Sequence, residues 1–256
     1  SRRIAYVELQ VSSNFSFLRG ASHPDELALS AGALGVKGFA VTDRNTMAGV
    51  VRAHMACKDA GLPFIVGCRL DLICDARPEV AGESSGQRRL TRVARTQARR
   101  PSGTQREATE ALVEPRDARP GGSFLAYPTD RAAYGRLCRL LTLGRRRAPK
   151  GECFIDLEDL RVHADGLILV AIPPPTLDAA FMMSLIDLER QWQGRLYLGA
   201  HHHLGGDDDA RLDQLAATAA QTGVPLVALN DVHFHTRSRK PLQDVLTCVR
   251  PGCTID

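Results

Sequence analysis

The sequence is poor in aromatic side chains, with one Trp, four Tyr and eight Phe among 256 residues. Its core must therefore rest on Leu, Val, Ile and Ala. No apolar run approaches the ~18 residues of a membrane-spanning helix, so no such span is expected. The first residues show no apolar stretch followed by a small-residue cleavage site, so a signal peptide is not expected either. Seven Cys are present, an odd number with no C-x-x-C pair, which argues against a zinc knuckle or a disulfide framework. They read as free thiols in a reducing cytoplasm. There is no G-x-x-x-x-G-K-[ST] phosphate loop, no G-x-S-x-G elbow and no H-E-x-x-H helix. Nor does charge of one sign dominate: 33 Lys and Arg face 29 Asp and Glu, a formal charge of +4.

That small excess is localised. Residues 76–122 hold ten Arg against six acids and account for the whole +4. The same stretch has no aromatic residue and is rich in Gly, Pro, Ser, Thr and Gln. It reads as a divergent, disordered insertion. A balanced remainder argues against a nucleic-acid binder that works by bulk charge, while leaving room for a local basic patch.

What is there alternates strand and helix. Residues 4–11 read as a first strand. Ser22 reads as the N-cap of a helix with Pro24 in its first turn, ending near Gly35. The run GFAVT (38–42) is a second strand, 47–60 a helix and 62–72 a third strand. After the insertion, Asp130 opens a helix with Leu137, Leu140 and Leu141 on one side and Arg145, Arg146 and Arg147 near its end. Residues 154–160 read as a linker and turn. GLILVAI (166–172), 196–199 and 225–229 read as strands, 177–192 and 208–222 as helices, and a last helix begins near Lys240. The alternation predicts an α/β fold with a mostly parallel sheet, barrel or open, and ligands gather at the carboxyl ends of such strands.

At those ends stand Asp43, Arg44, Arg69, His201 to His203, Asp231, His233 and His235. Asp231-x-His233-x-His235 is metal-like, because residues i and i+2 of an extended segment face the same way, and Asp43 is placed to join from a neighbouring strand. Against that stands the plainer reading of Asp231 as a turn cap and His233 as a hydrogen-bonded ring. His201, His202 and His203 are adjacent, so they cannot all face one centre, and they read as an unpaired surface cluster.

Longer runs carry a resemblance. YVELQVSSNFSFLRGASHP (6–24) resembles the start of bacterial DNA polymerase III alpha-type proteins. AVTDR (40–44), VGCR (66–69), YPTDRAAYGRLC (127–138), LNDVHFH (229–235) and PLQDVLTC (241–248) continue it. Together they are similar to the N-terminal polymerase-and-histidinol-phosphatase (PHP) domain of the error-prone branch of that family. The resemblance implies a distorted (β/α)7 barrel spanning 1–256, with 76–122 inserted and a polymerase core expected beyond 256. Active members bind up to three Zn or Mn ions and hydrolyse phosphoesters, some as a 3′–5′ exonuclease. The resemblance places a His-x-His pair where this chain has Glu8 and Gln10, a further histidine at Ser12, and an aspartate at Arg19. It places a histidine at Arg44 and a metal-bridging glutamate at Arg69. Only Asp43, Asp231 and His233 match expected ligands, and a central histidine motif falls in or beside the insertion.

A guanidinium puts a permanent positive charge where a metal ion would lie. The resemblance therefore implies a catalytically degenerate PHP domain without a metal cofactor, in which Arg44 and Arg69 are expected to pair with Asp43 and Asp231. The parent polymerase would use Mg²⁺ to add deoxynucleotides in damage-induced translesion synthesis in the cytoplasm. Its partners would be its own polymerase core, primer-template DNA, a sliding clamp and translesion accessory proteins, with Arg145, Arg146 and Arg147 as DNA contacts. Two rivals remain: a metal-dependent phosphoesterase or exonuclease using Zn or Mn at Asp43, Asp231 and His233, and a stand-alone protein-interaction module.

Overall fold

Apolar side chains at every second position build the sheet. In β3 (Cys68–Ile73), Cys68, Leu70 and Leu72 are buried while Arg69, Asp71 and Ile73 are less so. The computed structural model describes residues 5–73 and 120–255. The elements in chain order are α1 (Pro24–Leu34), β1 (Phe39–Val41), α2 (Val50–Asp59), β2 (Phe64–Val66), β3, β4 (Pro120–Pro128), α3 (Arg131–Arg147) and α4 (Leu157–His163). They continue with β5 (Leu167–Ile172), α5 (Ala179–Gln191), β6 (Leu196–His201), α6 (Asp208–Thr222), β7 (Leu226–Leu229) and α7 (Lys240–Val249). None of the described helices is long and apolar enough to cross a membrane.

β1 and β2 form a parallel pair, and β3 to β7 form a five-stranded sheet in sequence order. β5, β6 and β7 run parallel, joined by α5 and α6, as expected for β-α-β units. The expectation of a mostly parallel sheet fails at β4, which pairs antiparallel with both β3 and β5. Ile73, the last residue of β3, pairs directly with Pro120, the first of β4. β4 thus begins inside the stretch assigned to the insertion, whose remaining residues up to 119 lie outside the described ones.

Isolated parallel bridges link the two sheets: Glu8 with Phe39, Val11 with Val232, and Arg44 with Arg69. The pairing therefore passes from β7 through residues 8–11 to β1, and from the end of β1 to β3. The expected first strand is reduced to those bridges because side chains take two of its backbone donors, while the Glu8 N–H still donates to the Gly38 carbonyl. The Gln10 N–H donates to Glu8 Oε1 and the Val11 N–H to Thr42 Oγ1. The expected third strand splits into β2 and β3 at Gly67. A Cβ there would come within 2.8 Å of Thr42 Cγ2 and 2.9 Å of Tyr127 Cε1.

Helix ends follow their caps. The N-cap of α1 is His23, one residue later than expected, and its N–H donates to Glu26 Oε2 at 2.9 Å. Ser22 is diverted, its hydroxyl lying 2.7 Å from His235 Nδ1. Asp130 caps α3 by accepting the Ala133 N–H at 2.7 Å, and Gly35 ends α1 at φ 77°. The linker expected at 154–160 is in part helix. Asp156 caps α4 through the Asp159 N–H, and Asp159 answers by accepting the Asp156 N–H.

Strand parity decides what each face does. Phe124, Ala126, Leu167, Leu169, Leu196 and Leu198 face α3 to α6 and form the main core, with Leu137, Leu140 and Trp192 packed on them. Leu125, Tyr127, Val170 and Leu229 point the other way with Ala40 and form an inner cluster. A third cluster joins α1 and α2 to β1 and Val11. Among the described cysteines none is bridged, and Cys57 and Cys68 are buried. Cys74 lies outside the described residues.

Candidate functional site

The inner face that carries Leu125 also carries Arg69 and Asp71, because Arg69 pairs with Leu125 and Asp71 with Ser123 across β3 and β4. Two arginines converge on that carboxylate. Arg44, bridged to Arg69 where β1 ends, donates from Nη1 to Asp71 Oδ2, and Arg69 Nε donates to Asp71 Oδ1 at 2.9 Å. The Ser123 hydroxyl adds a third donor at 2.7 Å. Burial alone would push the Asp71 carboxyl up, but Arg69 and Arg44 hold it below the usual carboxylate value. The expected pairing of Arg44 and Arg69 with Asp43 and Asp231 is therefore corrected. Asp71 takes both, since Arg69 and Asp71 sit two residues apart on one strand face. The R-x-D spacing at 69–71 was visible in the sequence and is the signal that would have identified it.

Asp43 is 1 % exposed and lies in a nest of serine donors. Its Oδ1 accepts from the Ser13 N–H at 2.8 Å and the Ser16 hydroxyl at 2.7 Å, and its Oδ2 accepts from the Ser13 hydroxyl at 2.8 Å. Burial pushes its carboxyl up, opposed by those serines. The packing is tight: a Cβ at Gly49 would lie 2.7 Å from Asp43 Oδ2.

A second polar chain runs through residues 8–12. Gln10, 1 % exposed, donates from Nε2 to Asp231 Oδ1 at 2.6 Å, and its Oε1 lies 2.7 Å from His201 Nε2. Glu8 Oε2 accepts from Asn230 Nδ2 at 3.0 Å and from the Tyr6 hydroxyl at 3.2 Å, and burial raises its carboxyl above the usual value. Ser12 is buried and donates its N–H to the Val232 carbonyl.

Asp231 adopts φ 51°, so the segment after β7 is not extended there. Asp231 and His233 still meet, with His233 Nε2 3.3 Å from Oδ2. His235 leaves the group for Ser22 and Glu26. Of the motif's two imidazoles, one therefore stays with the carboxylate. Burial works against the Asp231 carboxylate, but His233, Arg69 and His201 bring it down to about 2.

The triple histidine is only in part the surface cluster expected: His202 and His203 are exposed, while His201 is half-buried. Parity along β6 turns His201 to the inner face with Tyr197 and Gly199, where it meets Gln10. His203 stacks on it with ring centroids 5.2 Å apart. His202 is on the opposite side, 3.4 Å from Asp208.

As a donor set this arrangement suits a metal ion poorly. Asp71 is engaged by two guanidiniums and Asp43 by three serine donors, while Gln10 stands between Asp231 and His201. Among the described residues no group of three or more His, Cys, Asp or Glu is placed to hold a metal ion. Beside Arg44 and Arg69 a cleft of about 1000 Å³ opens, with Arg19, Arg145, Lys150 and Arg250 on its walls. Of the three arginines at the end of α3, Arg145 faces this cleft, Arg146 is exposed, and Arg147 pairs with Asp159 at 2.6 Å.

Residues 8–194 match the PHP domain. The chain belongs to the PHP family. Along nearly its whole length this PHP chain is also similar to two curated relatives, both error-prone DNA polymerases. It is 39 % identical over 250 residues to that of Caulobacter vibrioides, covering 98 % of this chain and 19 % of the relative. It is 40 % identical over 259 residues to that of Ruegeria pomeroyi, covering 99 % and 22 %. The PHP chain thus spans about a fifth of the length of these relatives. Solved structures share the fold at low identity. One from Bifidobacterium adolescentis, assigned as a metal-dependent phosphoesterase, superposes with TM-score 0.54 at 14 % identity, covering 91 % of this chain and 89 % of that one. An amidohydrolase from Chromobacterium violaceum, solved with bound sulfate and no metal, gives 0.52 at 16 %, covering 90 % and 88 %.

Proposed function

We propose that this chain is a catalytically degenerate PHP domain of an error-prone DNA polymerase, serving as a scaffold. It would pack against a polymerase core of the same polypeptide and help shape the path of primer-template DNA. The longer protein would extend primers across damaged templates in the cytoplasm, using Mg²⁺ held in that core, with a sliding clamp and translesion accessory proteins as further partners. Arg145 and Arg146 are the outer DNA contacts that remain available at the end of α3.

The observation that carries the degenerate reading is the Arg44–Asp71–Arg69 group. A multi-metal phosphoesterase neutralises its carboxylates with cations and activates water on them. Here two guanidiniums neutralise Asp71, and a guanidinium can neither ionise a water nor leave an open coordination position. The similarity to error-prone polymerases along nearly the whole chain supports the polymerase context.

One observation favours a residual metal site: His233 Nδ1 is buried without a hydrogen-bond partner among the described residues, on a ring that touches Asp231. Elemental analysis of the chain purified without chelator separates the two readings. Substoichiometric Zn and Mn, with no Mn-stimulated phosphoester hydrolysis, is expected. A full equivalent of tightly held metal lost on Asp231→Asn would overturn the degenerate reading. Primer extension past an abasic template position by the longer polypeptide, and not by this chain alone, is the expected result for the polymerase reading.

A further inference from the structure

The cleft beside Asp71 carries more positive charge than its own surroundings balance. Arg19, Arg44, Arg69, Arg145, Lys150 and Arg250 line it, against Asp71 and Glu152. Asp71 is shared by Arg44 and Arg69, and Arg145 spends one N–H on the Asn45 carbonyl at 2.9 Å. The side chains of Arg19, Lys150 and Arg250 make no hydrogen bond or ion pair among the described residues. The crowding adds to what burial does to these side chains. Arg44 is brought down to about 10 by burial and the nearby Arg69, and Arg19 is lowered by burial and Arg250. Partly buried, mutually repelling cations are relieved by a polyanion, and guanidiniums match phosphate oxygens in geometry.

The walls add a second feature. Phe17 is 82 % exposed at the cleft, and Phe15 beside it is 38 % exposed. Both belong to the turn 13–19, which is held from below by Ser13 and Ser16 on Asp43, and Leu18 takes φ 55° within it. An aromatic ring presented to solvent next to free cations is the arrangement on which single-stranded bases stack while their phosphates are neutralised. The volume, about 1000 Å³, exceeds what one phosphate needs and suits a few nucleotides.

We infer that this cleft is a metal-independent binding site for single-stranded DNA. Arg19 and the Arg44–Arg69 pair take phosphates, and Phe17 stacks on a base. The inference rests on the polymerase reading only for which nucleic acid is at hand, and its measurement does not depend on metal content or primer extension.

The test is fluorescence anisotropy of the whole 256-residue chain. The probe is a labelled oligothymidylate about ten nucleotides long, titrated between about 50 and 200 mM salt. Phe17→Ala alters an exposed ring and Arg19→Ala a half-buried side chain, and the folding of both is checked by thermal melting. Each is expected to weaken binding about fivefold or more. Arg19→Ala should also lower the salt slope by about 0.7 for each phosphate that Arg19 neutralises, and Phe17→Ala should leave that slope alone. On a strand of abasic phosphates the Phe17→Ala effect should vanish. Lys58→Ala, on the exposed side of α2, should bind like the parent. Four results would overturn the inference: no binding by the parent chain, unchanged binding by Arg19→Ala, an equal loss in Lys58→Ala, or Arg19-dependent binding of inorganic pyrophosphate tighter than that of the strand. The last would mark a site for free phosphates.

Discussion

Four buried or half-buried carboxylates sit within this inner face, and they are tuned in opposite directions. Asp71 and Asp231 are held below the ordinary carboxylate value, while Glu8 and Asp43 are raised by burial. The signs give opposite pH dependences. Asp231 stabilises the fold fully above its unfolded value near 3.8, and that contribution is lost as pH falls toward about 2. Asp43 contributes most in acid and loses it as pH rises through its folded value. Asp231→Asn should therefore cost about 2 kcal/mol at neutral pH and flatten the acid limb of a urea-unfolding profile recorded between about pH 5 and 2. Asp71→Asn should be worse than its small change of shape suggests, because it leaves two half-buried guanidiniums facing each other, at a cost of about 3 kcal/mol. Adding Arg44→Gln to Asp71→Asn should recover part of that loss in chemical denaturation. A strictly additive double mutant would show that the pair is not coupled.

At the scale of elements, helices are decided by caps and strands by parity. The Asp130 cap of α3 is worth about 1 kcal/mol, and Asp130→Ala should lower stability by that much. Leu137, fully buried on the same helix, should cost about 2–5 kcal/mol as Leu137→Ala. Equilibrium unfolding measures both, and a larger loss for the cap than for the core residue would contradict that ranking. The helices at 131–147, 179–191 and 208–222 were legible from apolar spacing and from Asp and Gly at their ends. The first strand was not, because its apolar pattern is real but the Gln10 and Val11 N–H groups go to the Glu8 and Thr42 side chains, a competition that an apolar pattern does not register. The antiparallel β4 was hidden for a related reason: strand direction depends on which neighbour a strand pairs with.

At the scale of the molecule, the pairing of Ile73 with Pro120 brings the two ends of residues 74–119 side by side. A tight turn of a few residues can therefore replace that segment. Shortening it amounts to about three halvings of loop length, each worth about 0.6 kcal/mol in closure entropy. The shortened chain should melt no lower than the parent and should unfold in one transition followed by circular dichroism. A collapse of stability would mean that 74–119 supplies interactions the rest of the fold needs. The deletion would also remove most of the stretch that carries the formal +4, leaving the cleft arginines as the main local excess of positive charge.

The amino-acid sequence by itself determined the α/β class, the positions of most helices, the PHP resemblance and the residue types standing at each expected ligand position. Those follow from local propensity, apolar period and motif spacing, all of which act over a few residues. Only the tertiary structure decided the partners. Arg44 and Arg69 meet Asp71 rather than Asp43 and Asp231, Asp43 retreats into Ser13 and Ser16, and Gln10 joins Asp231 to His201 across most of the chain's length. A side chain's partner is set by which strand faces come together and by which donors are left unpaired once they do. That competition has no counterpart in sequence order.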